Sequence, residues 1–388
     1  MLVRVRVPPS APINRSGRHT PPGGGAMAST VRRMNYLLRL SVISVALFAV
    51  VACSEVDLSC APDGDVTPLC GVQMPEDIEA LPDGGGLVIG EYGDGGKLPG
   101  ALAWFQPDAD TGFTRLLTSS TIRQGASEQL WGDPDCPLPS QLSPHGIHVS
   151  QRGDSLQLLV VNHSSREQVL FYELQPSADS TAAPTLAWRG CVTFPDNAVL
   201  NDVVALPDGG IAVTHMYDRE NETLAQLKSV IGLSDGYVWR WAPGSPPRIM
   251  ANTAAGMPNG IEIAHDRKSI WVNNYTQGEL RQYDIATEQM LATIAVPNID
   301  NSAWLDDGRL LLASHTSPLT LLPCFGLTQG SCGAPYELVA VDTLSGATQV
   351  IYRADKGGPF GPATVAVEYR GKLYAGSFSG DRMAQIAR

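Results

Sequence analysis

From about residue 70 to the end, short apolar runs alternate with clusters of Gly, Pro, Asp and Asn. Six segments share one pattern: Pro75-Glu76-Asp77-Ile78, Pro144-His145-Gly146-Ile147, Asn201-Asp202-Val203, Pro258-Asn259-Gly260-Ile261, Asp300-Asn301-Ser302 and Pro362-Ala363-Thr364-Val365. With Glu76, His145, Asn201, Asn259, Asp300 and Ala363 aligned, a glycine follows eight residues later in five copies, at Gly84, Gly153, Gly209, Gly308 and Gly371; Arg267 holds that place in the fourth. Two apolar runs joined by such a turn predict a β-hairpin. The copies lie 41 to 69 residues apart, which leaves room for two more strands in each. An all-β repeat of roughly 50 residues predicts a propeller, each hairpin forming the inner pair of a blade. A β-sandwich with chance turns would not keep the offset of eight. The expected fold is all-β: a six-bladed β-propeller with a central channel holding metal, built as a single domain from residues 54–388.

Residues 1–53 read as a leader. Leu40 to Ala52 is apolar apart from Ser41 and Ser44, follows Arg32, Arg33 and Arg39, and is too short to span a bilayer. It runs into Ala52-Cys53-Ser54, a loose lipobox at which Cys53 would carry a lipid anchor; the alternative is ordinary cleavage near Ala52. The expected location is outside the cytoplasm, as a bacterial envelope lipoprotein of the periplasm or outer membrane, or else secreted. The chain has 27 Lys and Arg against 39 Asp and Glu, a net charge of −12. The first 52 residues hold seven Arg and no acid, so the body alone carries −19. That balance excludes a nucleic-acid binder, which needs a basic face. The 39 Gly and 29 Pro in 388 residues favour turns over long helices. Six cysteines follow Cys53, an even number that predicts disulfides in an oxidising compartment. Cys60 with Cys70 and Cys324 with Cys332 are the expected pairs, being close in sequence. No Cys or His spacing matches a zinc site.

The aligned residues open the innermost strands, so they converge at one end of the channel. Glu76, Asn201, Asn259, Asp300 and Asn301 bring only oxygen donors there, a set that suits a hard cation, Ca²⁺ before Mg²⁺. Asn is depleted in strands. Turn chemistry would account for one copy, but not for one register shared by four blades. Asp77 and Asp202, one step on, could hold a second and more buried ion together with the backbone carbonyl of Ile147. The second strand of each hairpin climbs back to the same end at His163, His215, Asn274 and His315.

These segments also resemble a known family. Met74-Pro-Glu-Asp-Ile-Glu, Ser143-Pro-His-Gly-Ile-His, Val160-Val-Asn-His-Ser, Asn201-Asp-Val-Val-Ala, Pro258-Asn-Gly-Ile, Ile299-Asp-Asn-Ser and Thr364-Val-Ala-Val-Glu-Tyr-Arg-Gly-Lys-Leu look like the paraoxonases, within the wider group of gluconolactonase-like calcium propellers. The likeness runs from about Cys70 to Arg388 with the motifs in order. It implies a six-bladed propeller with two calcium ions and lactonase or arylesterase activity. Glu76, Asn201, Asn259, Asp300 and Asn301 would hold the catalytic ion, and Asp77, Ile147 and Asp202 the structural one. His145 and His163 would be the family's histidine pair, and His215, His315 and Met257 would line the pocket. The family's disulfide between the N-terminal segment and the last strand has no counterpart, because the last cysteine is Cys332. Closure must then rest on strand pairing or on another bridge.

The expected reaction uses the metal to polarise an ester carbonyl, with His145 taking a proton from water and His163 orienting or relaying. The expected partner is a small ester or lactone. No Gly-x-Ser-x-Gly elbow is present, so serine hydrolase chemistry lacks its signature. Two alternatives stand beside this reading. One is a sugar-lactone or phosphotriester hydrolase on the same scaffold, and the other is a non-catalytic binding propeller anchored in the envelope. Met257, Tyr92 and Trp304 as an apolar lining would favour hydrophobic esters. Asp218 to Leu227 would form a short helix over the mouth. The sequons at Asn162, Asn221 and Asn274 carry no meaning in a lipoprotein.

Overall fold

A computed structural model describes residues 56–387, apart from 110–111, 127–128, 180 and 220–235. The leader and Cys53 lie outside the described residues. Among the described residues, twenty-four strands form six four-stranded antiparallel sheets. Their inner strands are Pro75–Ala80, Pro144–Arg152, Ala198–Ala205, Pro258–Ile263, Ile299–Trp304 and Val365–Tyr369, here taken as blades one to six. Each pairs with the strand that follows it in sequence, so the six repeats are six inner hairpins. The molecule is the expected six-bladed propeller.

The offset of eight has a conformational cause. Gly84, Gly153, Gly209, Gly308 and Gly371 all have positive φ, between 58° and 85°, and Arg267 adopts the same left-handed geometry at 56°. A tight hairpin needs a residue there, and glycine takes it without steric cost.

The ring closes without a covalent bond between its ends. Val66–Cys70, at the start of the body, pairs antiparallel with Arg382–Ile386, from Val66 opposite Ile386 to Cys70 opposite Arg382. The first strand therefore supplies the outermost strand of the last blade. Its own disulfide, Cys60–Cys70, ties it to the segment just before it, and buried Arg382 reaches back to donate to the Ser59 carbonyl. Cys324–Cys332 forms as expected, and Cys136–Cys191 fastens the blade one to blade two connection onto blade two. Three disulfides fit an oxidising compartment.

Apolar packing lies between blades rather than in the channel. Trp104, Leu117 and Leu142 pack with Leu158, Leu170 and Tyr172 between blades one and two, and Phe171 and Val192 with Val213 and Trp241 between two and three. Each such fully buried side chain contributes about 1.5–3 kcal/mol. The axis is left to polar side chains.

Those side chains are aimed by a repeated irregularity. The inner strands of blades one to five each break register at the aligned position, between Pro75 and Asp77, Pro144 and Ile147, Leu200 and Val203, Pro258 and Ile261, and Ile299 and Ser302. Blade six pairs without a break. A bulge frees backbone groups from the ladder and re-aims the side chains it carries. Blades one, three, four and five carry Glu76, Asn201, Asn259, Asp300 and Asn301 at their bulges, and blade two carries His145.

Candidate metal centre and active site

Glu76, Asn201, Asn259, Asp300 and Asn301 are all buried, from four inner strands, and they meet at the axis. Asn301 Nδ2 donates to Glu76 Oε1 at 3.0 Å, and Asn259 donates to the Asp300 carboxylate. The donors are thus used, and the oxygens are left over. Glu76 Oε2, Asn201 Oδ1, Asn259 Oδ1 and Asn301 Oδ1 are buried with no hydrogen-bond partner. A buried polar atom without a partner is costly, and four of them at one point, all oxygens, suit a hard cation. Burial first, and the Glu76 charge second, push the Asp300 carboxyl well above its ordinary range, which a cation would reverse. Among the described residues no group made of His, Cys, Asp and Glu alone is arranged for a metal; the oxygen ring depends on its three amides.

Asp77 and Asp202 lie one residue deeper. Asp77 accepts the N–H groups of Ile78 (2.9 Å) and Ile147 (2.7 Å), and Asp202 those of Val203 (2.7 Å) and Ile261 (2.9 Å). Burial dominates the upward shift of both carboxyls; the Asp202 charge is next for Asp77, and the Glu76 charge also raises Asp202. Two buried acids raised in this way again fit a cation, with lone pairs remaining on each carboxylate. The ring is too crowded here for side chains in every blade: a Cβ on Gly146 would sit 2.2 Å from Asp202 Oδ1, and one on Gly260 2.7 Å from Asn301 Cα.

Beside the oxygen ring runs a line of hydrogen bonds. His163 Nδ1 faces Glu167 at 2.8 and 3.0 Å, and His163 Nε2 faces His145 Nδ1 at 2.7 Å. An ionised carboxylate accepts only, so His163 carries its proton on Nδ1, and its Nε2 accepts from His145 Nδ1–H. That leaves His145 Nε2 as a lone pair, 3.3 Å from the Asn201 Nδ2 donor and 3.4 Å from Glu76 Oε1. Glu167 is itself fixed by Arg219 and by the Leu200 N–H (3.2 Å). Its carboxyl is held below the ordinary range: burial opposes ionisation, but His163, Arg219 and the Leu200 N–H together outweigh it. Tyr92 packs on both imidazoles, with ring centroids 4.6 and 5.9 Å away.

His315 lies across the ring, 3.5 Å from Asp300 Oδ2, held by Tyr275 Oη and the Ala363 carbonyl, each at 3.0 Å. His215 stacks on Tyr237 and lies 3.3 Å from Asp218 Oδ1. Both are fully buried, and burial pulls each down to about 4. Met257 is a half-buried hinge at the start of blade four, with φ 49°, whose carbonyl accepts the Tyr275 N–H (3.1 Å). The carbonyls of Met74, Ser143 and Asn298 bind Tyr92, His163 and His315 in the same way. This repeated bond pins each returning strand to its inner strand, and with it the side chains at the site.

Two expectations need correction. Trp304 ends its inner strand at the opposite end of the channel, stacked on His265 with its N–H on the Ile263 carbonyl, so it cannot line the mouth. Asp218 closes the strand Ile211–Asp218 rather than opening a helix, because it pairs with Ala198; residues 220–227 lie outside the described residues. The reading of the sequons as without meaning agrees with the structure, in which Asn162 and Asn274 are fully buried; Asn221 is not among the described residues. Glu167 is the residue that the sequence reading missed. Its signal was available: a carboxylate four residues after His163, across the short Ser164-Ser165 turn.

No curated protein matches this chain. Solved structures that resemble it include a gluconolactonase from Xanthomonas campestris, at 15% identity and TM-score 0.49, covering 87% of this chain and 95% of that one. Another is the calcium-binding protein regucalcin from Agrobacterium tumefaciens, at 13% identity and TM-score 0.45, covering 86% and 93%. Likenesses of that order carry no chemistry across. The arylesterase family model, in contrast, matches residues 70–381, from the closing strand to the last blade. The chain belongs to the arylesterase family, and with it to the hydrolases.

Proposed function

We propose that this protein is a calcium-dependent carboxylic ester hydrolase of lactonase and arylesterase type. The observation that carries the reading is the line Glu167–His163–His145, which ends in a lone pair on His145 Nε2 beside the buried oxygen ring. Glu76, Asn201, Asn259, Asp300 and Asn301 would hold one calcium ion; Asp77, Asp202 and the Ile147 carbonyl would hold a second, structural one. Calcium in the first site would supply Lewis-acid polarisation of a carbonyl oxygen.

The side chains supply the proton chemistry. His145 Nε2 takes the proton of an attacking water, and the resulting imidazolium faces Glu76. His163 holds His145 in the required tautomer, and Glu167 holds His163. Tyr92 covers the pair and keeps bulk water off it. The three disulfides support a location outside the cytoplasm, and the lipobox-like sequence supports reading Cys53 as a lipid anchor.

Hydrolysis of phenyl acetate and of a medium-chain γ- or δ-lactone tests the reading. Activity is expected to vanish with a chelator, return with Ca²⁺ and fall sharply in His145→Gln. Full activity without calcium would overturn the ligand assignment, and a folded, calcium-binding protein inert towards esters and lactones would leave a binding propeller.

A further inference from the structure

The channel has a third tier. Side chains two apart on a strand share a face, so the residues two beyond Asp77 and Asp202, with their counterparts in the other blades, lie one level further from the oxygen ring. In blade order they are Glu79, His148, Val204, Glu262, Ala303 and Ala366. Glu79 and Glu262 belong to blades one and four, which stand opposite each other in a ring of six. Burial first, then the Glu79 charge and then that of Asp202 push the Glu262 carboxyl well above its ordinary range. Glu79 also raises Asp77 and Asp202, so negative potential runs from the deeper pair into this tier. Among the described residues no Lys or Arg meets either glutamate; Glu79 accepts the Val149 N–H at 3.2 Å.

His148 gives a second, independent sign of a ligand. It is 7% exposed, its Nδ1 lies 3.3 Å from Glu79 Oε1, and its Nε2 is buried without a hydrogen-bond partner. An ionised Glu79 accepts only, so Nδ1 carries the proton and Nε2 keeps a lone pair. A buried nitrogen left in that state is costly unless something comes to it. Water reaches this tier from the end away from the histidine pair: Asp77 and Asp202 are 5% and 6% exposed, whereas the Glu79 side chain is 23% exposed.

We infer that this tier is the door of the deeper ion: a hydrated cation reaches Asp77 and Asp202 from the far end of the channel, past Glu79, His148 and Glu262, and leaves the same way. The inference rests on the reading of the axis as two calcium sites. In that reading the other approach is closed, because it leads through Glu76, Asn201, Asn259, Asp300 and Asn301, where an ion already sits. Opposed carboxylates draw cations into a narrow passage, and Ala303 and Ala366 keep side-chain bulk out of it. Among the described residues no group of His, Asp and Glu closes on a bare ion, which suits passage rather than residence.

The test reads calcium rather than catalysis. Every sheet and the closing strand lie within residues 66–386, so chain 54–388 holds the whole ring. It is loaded with radioactive calcium; the upper label is the one lost in step with phenyl acetate hydrolysis when chelator is added. Release of the remaining label is then compared in chelator and in excess unlabelled calcium, which keeps the upper site filled. The two rates are expected to agree. Glu79→Gln with Glu262→Gln is expected to slow reloading of the deeper site by about tenfold or more and to leave the upper site's rate unchanged. The wild-type comparison stands even where that variant fails to fold. A deeper label held back while the upper site is filled, or a folded variant that reloads as fast as wild type, would overturn the route and leave both ion sites intact. A chain that takes up no calcium would overturn the sites, and the route with them.

Discussion

Asp77 Oδ2 accepts the backbone N–H of Ile147 at 2.7 Å, so a carboxylate of the first blade is bonded to the main chain of the second. Asp202 and Ile261 repeat the link from the third blade to the fourth at 2.9 Å. In both cases the bulge of the receiving strand frees the N–H, and the glycine beside it leaves room for the next blade round, Gly146 for Asp202 and Gly260 for the backbone of Asp300 and Asn301. Gly146→Ala would place a methyl group 2.2 Å from Asp202 Oδ1. It is expected to cost about 1–3 kcal/mol and to weaken calcium binding at the deeper site, as read by chemical denaturation and calorimetric titration. Unchanged stability would mean that the axis is less crowded than described.

Stability should depend on calcium and pH together. Asp77, Asp202 and Asp300 are raised by burial and by one another or Glu76. Without a cation such groups favour the fold below the ordinary carboxyl range and withdraw that stability as pH rises through their raised values. His215 and His315, lowered from 6.5 to about 4, favour the fold above 6.5 and withdraw only as pH falls below it. Calcium is expected to raise the Tm by more as pH climbs above the ordinary carboxyl range, because the acids withdraw their stability there only where no ion neutralises them. A calcium effect independent of pH would separate these acids from the ion.

The histidine line predicts a graded loss. His145→Gln removes the proton acceptor and should lower kcat by about 10²–10⁴. His163→Gln and Glu167→Gln leave that acceptor in place but loosen its orientation, for an expected loss of about 10–100-fold each. The double variant of His163 and Glu167 should lose little more than one alone, since both act through His145. Full additivity in kcat would show that Glu167 serves only the local fold.

Cys60–Cys70 spans ten residues and anchors the strand that shuts the ring. Replacing both cysteines by serine is expected to cost about 2–3 kcal/mol and to loosen the pairing of Val66–Cys70 with Arg382–Ile386. Hydrogen exchange along those two strands should rise before it rises in blades two to four. Uniform exchange across all six blades would place the weak point elsewhere.

The inner hairpins and the oxygen ring were legible in the sequence because both are written at fixed offsets: a glycine eight residues after each aligned position, and Asn or Asp at the bulges themselves. What escaped has no such periodicity. Glu167 acts through a turn that occurs once, and Trp304 faces the wrong end because strand direction, not residue type, decides which mouth a side chain serves. The closing strand Val66–Cys70 lies before the first repeat, and its partner is over 300 residues away, a pairing that no local pattern encodes.

Blade six alone has an unbroken inner strand, and it is also where the two ends of the body meet. The seam and the oxygen ring are thereby kept in different blades. As the chain leaves the ribosome or a translocation channel, all five bulged strands are delivered before the strand that completes the circle. The polar centre can therefore assemble on an open arc, and the final residues act as a latch that makes an already furnished ring permanent.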